Sequence, residues 1–170
     1  MSPSKGKELP QSVKIALIAL FSALTAVLTY FTRVPSPTGG YTHIGDSAIY
    51  VAALIFGIQV GAPVGVIGPL VTDLVTGYPR WYVSLVAHGI QGVVASLAKG
   101  KNTLVQTCVI FLAGVLMAFT YFSVNVFIKG LAPAISSLAR DIFGQTLVSV
   151  IVAIPVVKAI EKTGIVATEK

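Results

Sequence analysis

The stretch VKIALIALFSALTAVLTYFT, residues 13–32, decides the fold: it carries a single charge, Lys14, near its leading edge. About 20 predominantly apolar residues are what a helix needs to cross the hydrocarbon core of a bilayer. A polar tail, Met1 to Gln11, precedes it with Lys5, Lys7, Glu8 and Pro10. The stretch is longer than a secretory h-region, and Val27-Leu28-Thr29-Tyr30 offers no small-residue cleavage site. It reads as a retained transmembrane helix.

Working outward, the same pattern recurs at about 45–58, 61–76, 80–98, 103–127 and 134–157. The breaks carry turn chemistry: Pro35, Pro37, Gly39 and Gly40 bar a helix from the longest loop, Arg33 to Ile44, and Gly77-Tyr78-Pro79 marks a tight turn. The expected fold is an all-α membrane protein, a compact bundle of six transmembrane helices forming one domain over residues 1–170. With 55% of residues hydrophobic and 11% charged, the chain could not cover a soluble domain with a charged shell. The short loops leave no room for a nucleotide-binding domain.

The net charge of +6 does not signal nucleic acid, because basic residues fall in ones and twos beside apolar runs rather than on a basic and aromatic surface. Lys5, Lys7, Lys14, Lys99, Lys101, Lys158, Lys162 and Lys170 would share one side; Arg33, Arg80, Lys129 and Arg140 the other. Both termini are therefore expected in the cytoplasm, and the proline- and glycine-rich loop outside. The single cysteine, Cys108, lies in an apolar run and is expected to be a small buried hydrophobe.

On this topology the acids outside the tails, Asp46, Asp73 and Asp141, all fall in the outer half of the bundle, with His43, Arg80, Trp81, His88 and Arg140. Charges at membrane depth are costly and usually face a bundle interior or a wet cavity. The pattern implies a pocket open to the outside. The densest motif is Gly39-Gly40-Tyr41-Thr42-His43-Ile44-Gly45-Asp46: glycines free the backbone, Tyr41 offers a stacking face, and His43 and Asp46 offer hydrogen bonds to a small heteroaromatic ligand. Asp46 has an alternative as the cap of the second helix, and Asp73 and Asp141 as partners of Arg80 and Arg140. His88 and Gln91, Tyr121 and Asn125, and Asp141 and Gln145 recur at one-turn spacing, so each pair shares a helix face and needs partners inside the bundle. Trp81 is divided between ligand contact and interfacial anchoring; Tyr78 and Tyr82 read as anchors.

Ala16, Ala19, Ala23 and Ala26 form a small-residue stripe on the first helix, and Gly57, Gly61, Gly65 and Gly68 a second on the following ones; both read first as intramolecular packing. Two metal-ligand types, His43 and Asp46, lack a third nearby, so no metal is expected. Gly100-Lys101-Asn102-Thr103 departs from a phosphate loop, with Ala95 in place of its first glycine. No zinc-protease or nucleophile-elbow motif occurs. No cofactor and no catalytic residue are expected.

The chain resembles the substrate-binding membrane subunits (S components) of energy-coupling factor vitamin transporters, in the subgroup associated with riboflavin, pyridoxine or hydroxymethylpyrimidine-type substrates. The residues that carry the resemblance are Ala19-Leu-Phe-Ser-Ala23, Gly40-Tyr-Thr-His-Ile-Gly-Asp46, Leu54-Ile-Phe-Gly57, Gly68-Pro-Leu-Val-Thr-Asp73, the stretch Val86 to Ala95 and the region of Gln145. The resemblance spans Lys14 to about Lys162. It implies a six-helix fold, a high-affinity pocket near the outer surface under the first outer loop, a membrane scaffold subunit and two cytoplasmic ATPases as partners, and docking of the scaffold on Ala19 and Ala23. In this family the whole subunit is thought to topple in the membrane to carry its ligand inward. His43 stands where subgroup members often carry asparagine. The expected substrate contacts are Tyr41, His43, Asp46, Asp73, Trp81, His88, Gln91, Tyr121, Asn125, Asp141 and Gln145, and the expected location is a prokaryotic plasma membrane. Two rivals are a self-sufficient ion-coupled transporter, against which the absence of an internal repeat speaks, and a membrane-embedded enzyme using Asp73, His88 and Asp141.

Overall fold

The computed structural model describes residues 9–37 and 39–164; the basic residues Lys5, Lys7 and Lys170, and Glu8, lie outside the described residues. The described chain is helical apart from one hairpin. Helix α1 (Gln11–Thr32) starts directly after Pro10, whose carbonyl accepts the first helical bond from Lys14. It ends where Pro35 forces Val34 into extended backbone. Strand β1 (Val34–Pro35) pairs antiparallel with β2 (Tyr41–Thr42), Val34 opposite Thr42. Gly39 and Gly40 turn this hairpin at φ +81° and +84°, a region open to glycine without steric cost.

Helix α2 (Asp46–Phe56) is the centre of the bundle: ten consecutive residues, Asp46 to Ile55, are buried. Gly57 alone, at φ +79°, separates it from α3 (Ile58–Thr76), so the break expected at 58–61 falls at the glycine instead. Helices α4 (Trp81–Ser96) and α5 (Thr103–Lys129) follow, the latter capped by the Asn102 side chain accepting from Val105 N at 2.9 Å. The loop expected at 129–133 is reduced to Gly130. Helix α6 (Leu131–Arg140) opens straight after it, because Pro133 sits in the first turn, where no N–H is needed. A six-residue π turn, Asp141–Thr146, joins α6 to α7 (Leu147–Lys162).

The surface is inverted relative to a soluble protein. Leu20, Phe31, Leu74, Val75, Leu104, Phe127 and Ile151 are exposed, while Thr25, Thr29, Gln91, Gln106 and Thr146 are fully or almost fully buried. Such a face requires lipid around it. Among the described residues four helical stretches, α1, α3, α5 and the continuous rod Leu131–Lys162, are long and apolar enough to cross a membrane. Helix α2 is shorter: its 11 residues rise about 16 Å, half the hydrocarbon thickness, so the stretch 45–58 is a half-length helix shielded by its neighbours. Cys108 is exposed, correcting the expectation of burial. The buried face of α5 runs through Gln106, Ile110, Ala113 and Met117, and Cys108 falls on the opposite side.

Glycine brings α3 and α4 together. A Cβ on Gly65 would stand 2.3 Å from the His88 carbonyl oxygen, and one on Gly92 would stand 2.4 Å from that of Gly61. The glycine series thus packs within the bundle, as expected. The alanine stripe does not: Ala16, Ala19 and Ala23 are exposed, and α1 turns Ser22, Thr25 and Thr29 inward.

Candidate functional site

Asp46 opens α2 as the first helical residue, but its side chain makes no capping bond. It is fully buried, and Oδ2 accepts from Gln91 Nε2 at 3.0 Å and from Gln145 Nε2 at 2.9 Å. Oδ1 stands 3.3 Å from His88 Nε2. His88 Nδ1 lies 3.1 Å from the Ser84 carbonyl oxygen, which only accepts, so Nδ1 carries a proton. A second proton must then lie between Nε2 and Asp46 for the contact to be attractive. Gln91 donates further to the Tyr50 hydroxyl at 2.7 Å. Gly114 makes room for this cluster, since a Cβ there would collide with Thr146 and Tyr50.

Above Asp46 lies a cavity at one end of the bundle. Its wall takes Thr29 from α1, Pro69 and Asp73 from α3, Tyr78 and Arg80 from the α3–α4 turn, Ser84 and His88 from α4, and Tyr121 and Asn125 from α5. Arg140, Asp141 and Gln145 complete it, and Gly39, Gly40, Tyr41 and His43 roof it. Asp73 does not pair with Arg80 among the described residues. Its Oδ1 accepts from the Tyr41 hydroxyl at 2.6 Å, while Arg80 donates to Asn125 Oδ1 and lies over the Tyr78 ring, 5.2 Å from its centroid. Asp141 does pair with Arg140, at 2.7 Å. The π turn places Asp141, Gln145 and Thr146 all in the interior; such turns recur at functional sites.

The hairpin is held down at both ends. The Gly39 carbonyl accepts from Lys129 Nζ at 3.1 Å and from Arg140 at 3.4 Å, and Tyr41 reaches across to Asp73. Burial, then the adjacent Asp73 carboxylate, raises the Tyr41 hydroxyl far above its ordinary range, so it stays a donor. Burial lowers His43 to about 4; the imidazole is neutral at pH 7, with Nδ1 accepting from Gly45 N at 3.1 Å and the proton on Nε2. Burial likewise raises Tyr78. Under the latched hairpin the cavity measures only about 30 Å³, far below the roughly 300–1,000 Å³ of pockets that hold small ligands. The hairpin must lift, or its side chains rearrange, before anything larger than water enters.

Tyr41, His43, Asp73, His88, Tyr121, Asn125, Asp141 and Gln145, all singled out in the sequence, meet on this cavity. Asp46 and Gln91 stand behind its wall and brace it. Trp81 is outside: 43% exposed, it packs edge-on against Tyr82. Thr29, Ser84 and Tyr78 line the cavity without having been singled out for binding. Only the inward stripe Ser22, Thr25, Thr29 on an apolar helix hinted at the first of them. His43, Asp46 and His88 each offer a metal-ligand atom within 4.8 Å of the others. Since Gly45 N–H occupies the His43 Nδ1 lone pair and protons stand at both His88 nitrogens, Asp46 alone keeps a lone pair to offer, where a tight site needs three or four ligands.

The family described as ECF-type riboflavin transporter, S component, matches residues 11–162. Among curated proteins, the chain is 33% identical over 157 residues to the thiamine precursor transporter HmpT of Lactococcus lactis subsp. cremoris (strain MG1363), covering 89% of this chain and 90% of that one. It is 32% identical over 120 residues to an uncharacterized protein of Pyrococcus woesei, covering 68% of this chain and 80% of the relative. A UPF0397 protein of Lactobacillus helveticus (strain DPC 4571) matches at 33% over 93 residues, about half of each chain. An apolar helical bundle with a polar cavity under a glycine hairpin, and a match to nearly all of its length, place this chain in the ECF-type S component family: it is a membrane transport subunit for vitamin uptake, not an enzyme.

Proposed function

We propose that this chain captures a small, single-ring vitamin precursor from outside the cell and delivers it as the substrate-binding subunit of an ATP-driven importer. The observation that carries this reading is the closed polar cavity. It draws side chains from five helices and the π turn, and its roof is a hairpin latched by Lys129, Arg140 and Tyr41. The small, single-ring ligand is taken from the thiamine precursor named for the Lactococcus relative; the cavity as it stands holds neither one ring nor a fused tricycle until the hairpin moves. Tyr41, His43, Asp73, His88, Tyr121, Asn125, Asp141 and Gln145 contact the ligand; Asp46 and Gln91 hold them in place.

In this reading the chain is one domain with six crossings of a prokaryotic plasma membrane. Helix α2 completes its crossing with the hairpin segment before it and α4 with the turns on either side, both termini face the cytoplasm, and the hairpin faces outward. The partners are a membrane scaffold and two cytoplasmic ATPases. What supports the docking role of α1 is that Ala19 and Ala23 are exposed, giving a thin helix face that another helix can approach closely.

A thermal-shift panel on the purified chain tests the ligand class: a hydroxymethyl-aminopyrimidine, pyridoxine and riboflavin are compared at equal concentration. The first is expected to stabilise most, since binding to the native state raises the melting temperature with the logarithm of ligand concentration over Kd. Stabilisation by riboflavin alone overturns the single-ring assignment. Proteoliposomes holding only this chain that still concentrate substrate would favour the ion-coupled rival.

A further inference from the structure

We infer that Asp46, which does not reach the cavity, is a positioning residue that sets the hydrogen-bond polarity of the substrate. By holding the amide nitrogen of Gln145 it fixes that side chain's carbonyl oxygen toward the ligand, so the site selects a ring bearing an amino group over one bearing an oxo group there. This rests on the cavity being the substrate site.

The geometry is constrained by chemistry rather than by fitting. An ionised carboxylate only accepts hydrogen bonds, so Gln91 and Gln145, both within 3.0 Å of Asp46 Oδ2, must turn their nitrogens inward. Gln91 spends its second N–H on Tyr50, and its Oε1 is buried without a partner among the described residues. Gln145 lies on the cavity wall with its carbonyl directed away from Asp46. Asp73 adds a second acceptor: Tyr41 occupies Oδ1, and Oδ2 is buried without a partner among the described residues. Buried acceptors left unsatisfied are costly, so a ligand that donates to them gains that cost back. The cations of the rim are already committed, Arg80 to Asn125 and Arg140 to Asp141 and Gly39. The proton on His43 Nε2 offers a donor for a ring nitrogen beside the amino group. An amino-substituted nitrogen heterocycle satisfies both demands; its oxo counterpart presents acceptor to acceptor.

The test is isothermal titration of the full purified chain with 4-amino-5-hydroxymethyl-2-methylpyrimidine and its 4-oxo counterpart. The wild type is expected to favour the amino ring by about tenfold or more, the value of one well-placed hydrogen bond. Asp46→Leu frees both amides to flip and should bring the ratio near unity. Asp46→Asn keeps an oxygen for the two glutamines and turns its amide to His88, so it should restore the preference, which a merely structural role would not predict. Where Asp46→Leu fails to fold, Gln145→Met and Gln145→Glu replace it, the first abolishing the preference and the second retaining it. An unchanged ratio in Asp46→Leu or Gln145→Met overturns the inference alone, as does a wild type that binds both rings equally. A wild type that binds neither ring overturns the substrate reading beneath it.

Discussion

Replacing Gly65 by alanine should damage binding and stability together, through one contact. The new Cβ would stand 2.3 Å from the His88 carbonyl oxygen, where ordinary contact begins at 3.4 Å. The obstacle is backbone in a neighbouring helix, so no side-chain rotation relieves it, and α4 must move off α3 by about 1 Å. Overpacking of this kind costs about 1–3 kcal/mol, several degrees in melting temperature for a chain of this length. The same shift carries His88 away from Asp46, stretching a 3.3 Å contact beyond hydrogen-bond range. Ligand affinity should then fall about tenfold. The matched control is Gly89→Ala, whose Cβ would meet only a Val66 methyl at 3.2 Å; it should be neutral or slightly stabilising, since alanine is the better helix former. Thermal unfolding in detergent, with and without ligand, and titration calorimetry read both effects. Equal melting and equal affinity in the two variants would refute the claim that glycine contact between α3 and α4 sets the position of His88.

Tyr41→Phe removes the 2.6 Å bond to Asp73 and one anchor of the hairpin; ligand dissociation should accelerate about tenfold, measured by stopped-flow quenching, with the fold unchanged. His43, lowered from 6.5 to about 4, stays neutral in the folded chain while the unfolded chain takes up a proton. Stability should therefore be full above pH 6.5, fall toward pH 4 by up to about 3 kcal/mol, and flatten below; His43→Gln should remove that slope in denaturation curves collected across the range. Ala19→Leu with Ala23→Leu should leave calorimetric binding intact and abolish uptake by cells carrying the partner subunits. Unimpaired uptake would detach α1 from scaffold docking.

The acids show how far the sequence could be read. Asp46, Asp73 and Asp141 were recognisable as a shared polar cluster because lipid leaves a carboxylate few places to go. Arg140 was recognisable as the partner of Asp141; the partners of Asp73 and Asp46 were not. Arg80 lies just across the Gly77–Pro79 turn from Asp73 yet bonds Asn125 on another helix, and Asp46, read as a ligand contact or a helix cap, serves as a buried brace. Trp81 shares a face of α4 with Ser84 and His88, yet as the first residue of that helix it stands outside the cavity and packs against Tyr82. The π turn at Asp141–Thr146 left no signature, since a change from four-residue to five-residue bonding is decided by what the helix packs against.

Apolar run length, turn residues and the placement of charge by themselves determined an all-helical membrane protein with its polar side chains gathered toward one end. These are local quantities, fixed by the cost of exposing backbone and charge to hydrocarbon. Only the tertiary structure decided that α2 is a half-length central helix, that the alanines of α1 face outward, and that Asp46 orients two glutamines from behind the cavity wall. Those outcomes depend on which helix faces meet. The glycine spacing of α3 marks a packing surface, but only the assembled bundle pairs Gly65 with His88 and Gly92 with Gly61.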